Sequence, residues 1–297
     1  RATATLRQLH IPPNVSTHYT TTQMKALSIL ILLFLISCKT IVNPEEFRLF
    51  TYNDVYDWKD CVIPSQDYVS KELPIIRKEF NEYVANIETL DRALHFIDLN
   101  NDKKLDVIYS GTSGSESDCV IFLLNNDSDY KILFEEYTNI RDLVFEDGKL
   151  VGYTGLDFGC CAEYVQKETK YKVSKDWDRT VEYQRVKASY TELPENLYEN
   201  PISFETVSDT LKLRATAIKD DTNLFIYDTI GNVVSSYLKG SRGLAWSEKQ
   251  NDLGETWWFV EMEPNSGQLG SRINYNPDKL PQRNLGWFPS TGLTILK

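Results

Sequence analysis

One amphipathic helix and a long series of short strands are the elements that the hydrophobic pattern predicts. From Ser70 to Ile87 apolar residues recur at helical spacing, and Pro74 would lie near the start of that helix. Further along the chain the pattern changes to short apolar or alternating runs, separated by turn sequences such as Asp147-Gly148. These runs predict strands at Ala93–Ile97, Val107–Tyr109, Cys119–Leu124, Tyr130–Phe134, Arg141–Phe145, Leu150–Thr154, Ala162–Thr169 and Arg179–Val186.

A break in the pattern at Thr191–Pro201, which holds two prolines, predicts a linker between two pieces, residues 47–200 and 203–297. Six short strands in the second piece predict a small barrel: Leu211–Ala215, Asn223–Tyr227, Val233–Tyr237, Leu244–Glu248, Thr256–Glu261 and Gly286–Pro289. The 17 tyrosines and 13 phenylalanines also favour strands. The expected fold is mainly β, with an N-terminal β-rich domain that has one helix and a small β-barrel after it.

The start of the chain is typical of an export signal. Met24-Lys25 precedes an apolar run from Ala26 to Ile36, which is shorter than the ~20 residues that cross a bilayer as a helix. The run ends in Leu35-Ile36-Ser37-Cys38, which resembles the lipobox of bacterial lipoproteins. The resemblance implies a signal peptide over residues 24–37, a lipid anchor on Cys38 and a tether over 38–46. The alternative is an ordinary secretory signal with an incidental cysteine.

Residues 1–23 are rich in threonine and lack an initiating methionine, so we interpret them as translated upstream sequence. Once Cys38 is set aside, an even number of cysteines remains, which in an oxidising compartment predicts two disulfides. Neighbouring cysteines are not expected to bond each other, so one of the adjacent pair should bond each distant cysteine, in either order. A metal site is the alternative, but no CxxC spacing and only 3 histidines support it. The candidates are Cys61, Cys119, Cys160 and Cys161.

Oxygen-bearing groups alternate along the segment that follows the first predicted strand. Such spacing suits a hard cation, and the candidate ligands are Asp98, Asn100, Asp102, the carbonyl of Lys104, and Asp106. Lys103 and Tyr109 stand where an EF-hand has Gly and Glu, so this is not an EF-hand. The strand–DxNxDxxxD–strand arrangement instead resembles the hairpin of FG-GAP or VCBS repeats, over about the segment 93–124. The resemblance implies structural Ca²⁺ at these positions; a polar surface turn is the alternative.

Residues from about 205 to the end resemble a bacterial SH3 domain, through the Trp257-Trp258-Phe259-Val260 strand and the closing Gly286-Trp287-Phe288. Such modules bind peptides, including cell-wall peptides, through aromatic side chains in a groove. Core packing is the alternative for each aromatic, and only one of the adjacent Trp257 and Trp258 can face inward from a strand. The groove candidates are Tyr227, Trp246, Trp258, Tyr275 and Trp287.

Charge and catalytic motifs narrow the function. The net charge is −11, and the first 37 residues contain no acid, so the remainder is strongly acidic and a poor partner for nucleic acid. His95 is the one histidine beyond the signal segment, and no GxSxG, HExxH or phosphate-binding glycine loop is present. We therefore expect a non-enzymatic lipoprotein of the cell envelope that binds cell-wall peptide or a protein partner. Alternatives are an accessory or unrecognised cell-wall hydrolase, or an inhibitor or immunity lipoprotein.

The expected location is outside the cytoplasm, at a membrane held by the lipid anchor. No acidic cluster directly follows Cys38, which favours the periplasmic side over the cell surface.

Overall fold

The computed structural model describes residues 47–51, 53–114, 118–158, 165–223, 231–273 and 281–296. Contacts along the chain separate a unit Arg1–Phe47 from a larger compact unit, Arg48–Lys297. The predicted upstream segment, signal peptide and tether lie outside the described residues. Within the described ranges, none of the helices combines the length and the apolar character needed to cross a bilayer.

Strands dominate the larger unit, which confirms the predicted mainly β fold class. Three of them were not among the predicted strands: Ile202–Thr206, Gln268–Ser271 and Leu293–Ile295. The strands are β1 Leu94–Ile97, β2 Asp106–Thr112, β3 Asp118–Asn125, β4 Tyr130–Glu136, β5 Asn139–Glu146, β6 Lys149–Asp157, β7 Val165–Val173, β8 Arg179–Ala188, β9 Ile202–Thr206, β10 Thr210–Arg214, β11 Val233–Leu238, β12 Arg242–Gln250, β13 Thr256–Met262, β14 Gln268–Ser271, β15 Gln282–Pro289 and β16 Leu293–Ile295.

The predicted helix is present, but its bounds were wrong. Helix α1 is Gln66–Ile76, and it begins earlier than predicted because the Ser65 side chain accepts the Tyr68 backbone N–H at 3.3 Å. A 3₁₀ turn, Arg77–Glu79, follows directly. Extended backbone at Phe80 then ends the helical run, and Asn81 caps a separate short helix, α2, Glu82–Ala85. Two further 3₁₀ turns are Leu90–Ala93 and Ser290–Gly292.

Strands β1 to β4 form a four-stranded antiparallel sheet in chain order. Alternate residues of each strand face opposite sides, so both faces can be apolar. Val107 and Ile121 belong to a core shared with α1, whereas Ile108 and Phe122 belong to a core shared with β5, β6 and β7. The rings of Phe122 and Tyr153 are 5.1 Å apart across that second core. The first sheet therefore lies between a helix and a second sheet.

The second sheet contains strands from both of the predicted pieces. Its order is β16-β9-β12-β13-β15-β8-β7-β6-β5. All neighbours along it are antiparallel except β8 and β15, which run parallel, with Gln184 opposite Gln282 and Val186 opposite Asn284. Val186 packs in one core with Phe204 and Phe288, so the hydrophobic interior is also continuous across residue 200.

The small barrel predicted for residues 203–297 is not found among the described strands. β10 pairs with β11, and β11 pairs with β14, which forms a short side sheet. One pair of residues, Arg214 and Trp287, joins β10 to β15. β13 pairs with one edge of β15, and β8 and β10 share the other edge. The C-terminal strands therefore extend the large sheet, and the described strands do not close into a barrel.

Candidate functional site

The predicted calcium loop connects β1 and β2, the antiparallel hairpin expected from the sequence. Asp98 holds the loop together: its carboxylate accepts the backbone N–H groups of Asn101 at 2.7 Å and of Lys103 at 2.8 Å. It also accepts those of Asn100 and Asp102, each at 3.2 Å. Asn101 and Lys103 have positive φ, 63° and 70°, a backbone region that favours glycine. The Asp98 carboxylate thus stabilises turns that the loop forms without glycine.

Asp106 lies at the base of this loop and is fully buried. Its carboxylate accepts the backbone N–H of Leu99 at 2.7 Å and that of Asn125 at 2.8 Å. Burial raises the pKa of Asp106 to about 6, and the negative charges of Asp102 and Asp98 add to this, while the two N–H groups oppose it. The loop therefore concentrates negative charge that its own hydrogen bonds compensate in part.

The donor chemistry of the loop fits Ca²⁺, since every candidate ligand offers oxygen. In the described part of the chain, however, no three His, Cys, Asp or Glu side chains are grouped to hold a metal. The Asn100 amide turns its N–H to Asp102, at 3.1 Å, and the Lys104 side chain pairs with Asp127 at 2.7 Å. For an ion to bind, Asp98 would have to exchange backbone N–H groups for the cation, so calcium binding stays a prediction.

Cys61 and Cys119 are free thiols. They belong to the cores on opposite faces of the first sheet, and burial is the main cause that raises their pKa values, to about 11 and about 12. The other predicted disulfide partners, Cys160 and Cys161, lie outside the described residues, as does Cys38. The structure therefore shows no disulfide at the two described cysteines, and the pairing with Cys160 and Cys161 stays a prediction.

His95 has the surroundings of a structural residue. Its imidazole stacks on the indole of Trp58, with ring centroids 3.6 Å apart and planes 4° from parallel. Burial lowers the pKa of His95 to about 4, so the ring is neutral at pH 7. The stacking and the burial of this neutral ring indicate that His95 helps to pack the strand β1 against Trp58.

Two of the predicted groove residues are interior residues. Trp246 and Trp287 are both 1% exposed, and their indole N–H groups donate to Glu261 at 3.0 Å and to the Glu192 carbonyl at 2.7 Å. Of the adjacent pair, Trp257 is buried and Trp258 is half-buried against the C-terminal core. Tyr227 and Tyr275 lie outside the described residues. Aromatic content was thus a signal of core packing more than of a groove.

A buried ionic network lies on one face of the large sheet. Arg185, on β8, is bound by Glu168 at 2.8 Å and by Glu261 at 3.0 Å. Each glutamate has a second guanidinium partner: Arg141 for Glu168, and Arg283, at 3.1 Å, for Glu261. Burial alone would lower the pKa of Arg185, but the two carboxylates outweigh it and raise the pKa. Because Arg185 and both glutamates are at most 2% exposed, the network joins β7, β8 and β13 and is closed to a ligand.

Two ligand-sized cavities lie along β10 and the side sheet. One cavity, about 470 Å³, is lined by Leu211, Lys212, Arg214, Trp257 and Pro289, among others. A second, about 440 Å³, is lined by residues of β11 and β14 and shares two lining residues with the first, Lys212 and Asp221. We name the two cavities together the β10 groove. Sequence reasoning missed it, because its walls come from strands far apart in the chain.

The charge of the β10 groove is opposite to that of the whole chain. Four basic side chains line it and two acidic ones, in a chain of net charge −11. Arg214 is 3% exposed and fixed by Asp221 at 3.0 Å and by Asn232 at 2.7 Å. The guanidinium of Arg214 is the main cause that lowers the pKa of Asp221. The basic residues are Lys212, Arg214, Lys219 and Arg272, and the acidic ones are Asp221 and Glu255.

Trp257 gives this groove a buried polar group without a partner. Its side chain is 2% exposed, and its indole N–H has no acceptor among the described residues. A buried donor left unpaired costs about 1–3 kcal/mol, so a ligand in the cavity that accepted this N–H would gain that energy.

Comparison of the chain with protein-family models, with curated proteins and with solved structures finds no match in any of the three.

Proposed function

We propose that this chain is a non-enzymatic lipoprotein of the cell envelope that binds a peptide in the β10 groove. The observation that carries the proposal is the groove itself, with cationic side chains on the rim and Leu211, Trp257 and Pro289 on the walls. Cavities of roughly 300–1,000 Å³ that combine apolar walls with a few polar groups are typical binding sites. The lipobox-like sequence that ends at Cys38 supports the envelope location.

The β10 groove lies in the segment whose sequence resembles a bacterial SH3 domain, and this shared location supports peptide binding even though the described strands do not close into a barrel. The groove differs from the aromatic surface that the resemblance implied. Two of the predicted aromatics, Trp246 and Trp287, are buried in the sheet, and the groove wall instead contains Trp257, which was not a predicted groove residue. Peptides that bind beside strands are recognised by main-chain hydrogen bonds and by pockets that accept alternate side chains.

The experiment is sedimentation of residues 39–297, which contain the whole compact unit, with purified cell-wall sacculi. A truncation near residue 200 is unsuitable, because it would remove β15, the partner of β8. Charge reversal at the exposed groove lysines, Lys212→Glu with Lys219→Glu, should abolish pelleting if the groove binds wall peptide. The matched control is Lys131→Glu with Lys149→Glu, two exposed lysines of the first piece.

Each outcome has a definite meaning. Pelleting that survives in the control pair and not in the groove pair supports wall binding through the groove. Equal loss in both pairs, or no pelleting of the original chain, contradicts it. Release of soluble fragments from the sacculi would make the chain a wall hydrolase instead.

We also propose that the Asp98–Asp106 loop binds Ca²⁺ in a structural role. The observation that favours it is the fully buried carboxylate of Asp106, at the base of a loop that also carries Asp98 and Asp102. A divalent cation would neutralise that charge and brace the β1–β2 hairpin.

A further inference from the structure

We infer that the β10 groove selects peptides that carry carboxylates, and that Lys212 and Lys219 bind them. This inference deepens the proposed function and rests on it for the location of the site. Two observations support it. Lys212 can leave its ion pair with Asp221 for a ligand, because Arg214 also pairs with Asp221, and the groove has more basic than acidic lining residues in an acidic chain.

The Asp221 carboxylate pairs with two cations, Arg214 and Lys212, although one cation is enough to neutralise its charge. Arg214, with its side chain 4% exposed, is bound to Asp221 at 3.0 Å and cannot leave without breaking further bonds to Asn232 and to the carbonyl of Asp220. Lys212, whose side chain is 49% exposed, is 3.3 Å from the same carboxylate oxygen. Lys212 is therefore the cation that can turn to a ligand while Asp221 remains neutralised.

Lys219 provides a second cation on the same rim. It is exposed and lines the cavity with Lys212, and no acidic side chain pairs with it in the part of the chain that the structure describes. The apolar side chains of Leu211 and Pro289 line the same cavity as the two lysines. A peptide with an acidic side chain or a free C-terminal carboxylate fits this lining. Its carboxylate can form an ion pair with a lysine, and the rest of the peptide can pack on the apolar side chains.

The charge of the whole chain argues for a peptide and against an extended polyanion. Charges are screened over about 8 Å at physiological salt, so a short ligand inside the groove feels mainly the local cations. A nucleic acid or an anionic bilayer extends well beyond the groove and meets a chain of net charge −11. The groove therefore favours short acidic ligands.

The test is fluorescence anisotropy with labelled octaglutamate and octaglutamine on residues 39–297. We expect octaglutamate to bind about tenfold more tightly or better, and to weaken as salt is added. Lys212→Gln with Lys219→Gln should lose most of that preference. Lys131→Gln with Lys149→Gln, which changes the net charge equally, should alter it by less than about twofold.

Equal binding of the two peptides, or equal loss in both lysine pairs, would overturn the inference. Binding to vesicles of phosphatidylglycerol with none to octaglutamate would also overturn it, in favour of a lipid ligand. The two proposals fail separately. If the protein pellets with sacculi but does not bind octaglutamate, wall binding is supported and carboxylate selection is contradicted. If it binds octaglutamate but does not pellet, wall binding is contradicted and the carboxylate site is supported.

Discussion

Replacement of Arg185 by Met would remove the cation between Glu168 and Glu261 while keeping most of the side-chain volume. Arg185 is 1% exposed, so the two carboxylates beside it are shielded from bulk solvent. Removal of one member of a buried ionic pair costs about 3–5 kcal/mol, because a buried charge is left without its partner. Here each glutamate keeps one further arginine, Arg141 or Arg283. We therefore expect the lower end of that range, a loss of about 3 kcal/mol in the free energy of unfolding.

Urea unfolding followed by tryptophan fluorescence measures this loss, provided that the denaturant dependence stays unchanged. The matched control is Arg48→Met, which breaks an exposed pair with Asp142 (side chains 61% and 36% exposed) and should cost less than about 1 kcal/mol. A combined Arg185→Met and Glu261→Gln variant should lose less than the sum of the single changes. If Arg185→Met costs no more than Arg48→Met, the network does not stabilise the join between β8 and β13.

Three further predictions follow from buried or clustered charge. Millimolar Ca²⁺ should raise the melting temperature, and Asp98→Asn with Asp102→Asn should abolish the rise; no shift in the original protein contradicts calcium binding. Burial lowers the pKa of Lys187 from 10.5 to about 8, so the folded state binds fewer protons in that window, and stability should rise with pH from about 8 to 10.5. Lys187→Met should remove that rise in urea unfolding at each pH. The low pKa of His95, about 4 against 6.5, should make stability fall as pH drops through that range, and His95→Gln should flatten the profile.

Local features of the fold were predictable from the sequence because they depend on neighbouring residues. Asp147-Gly148 predicted a tight turn, and both residues have positive φ between β5 and β6, as a two-residue hairpin requires. The DxNxDxxxD segment likewise predicted the β1–β2 hairpin. The helix was found with wrong bounds, since Asn81 starts a new helix in the middle of a continuous apolar pattern.

Features that depend on distant partners were not predictable. The strand predicted at Arg179–Val186 carries charged residues, yet residues 183–188 are all buried. Arg185 can be buried there because Glu261, from far along the chain, neutralises it. Nothing local to β15 indicates that it runs parallel to β8. The β10 groove could not be predicted for the same reason, because Lys212 and Trp257 line one cavity only after the sheet has formed.

The parallel pairing of β8 and β15 also sets the order in which the protein can fold. Gln184 pairs with Gln282, which lies about a third of the chain length further along. At a synthesis rate of roughly 5–20 residues per second, the edge of β8 is complete for several seconds before its neighbour exists. Contacts of such long sequence separation also form slowly. During that interval β8 presents an open edge and Arg185 lacks Glu261, so this strand is more exposed to pairing with another chain than the early hairpins are.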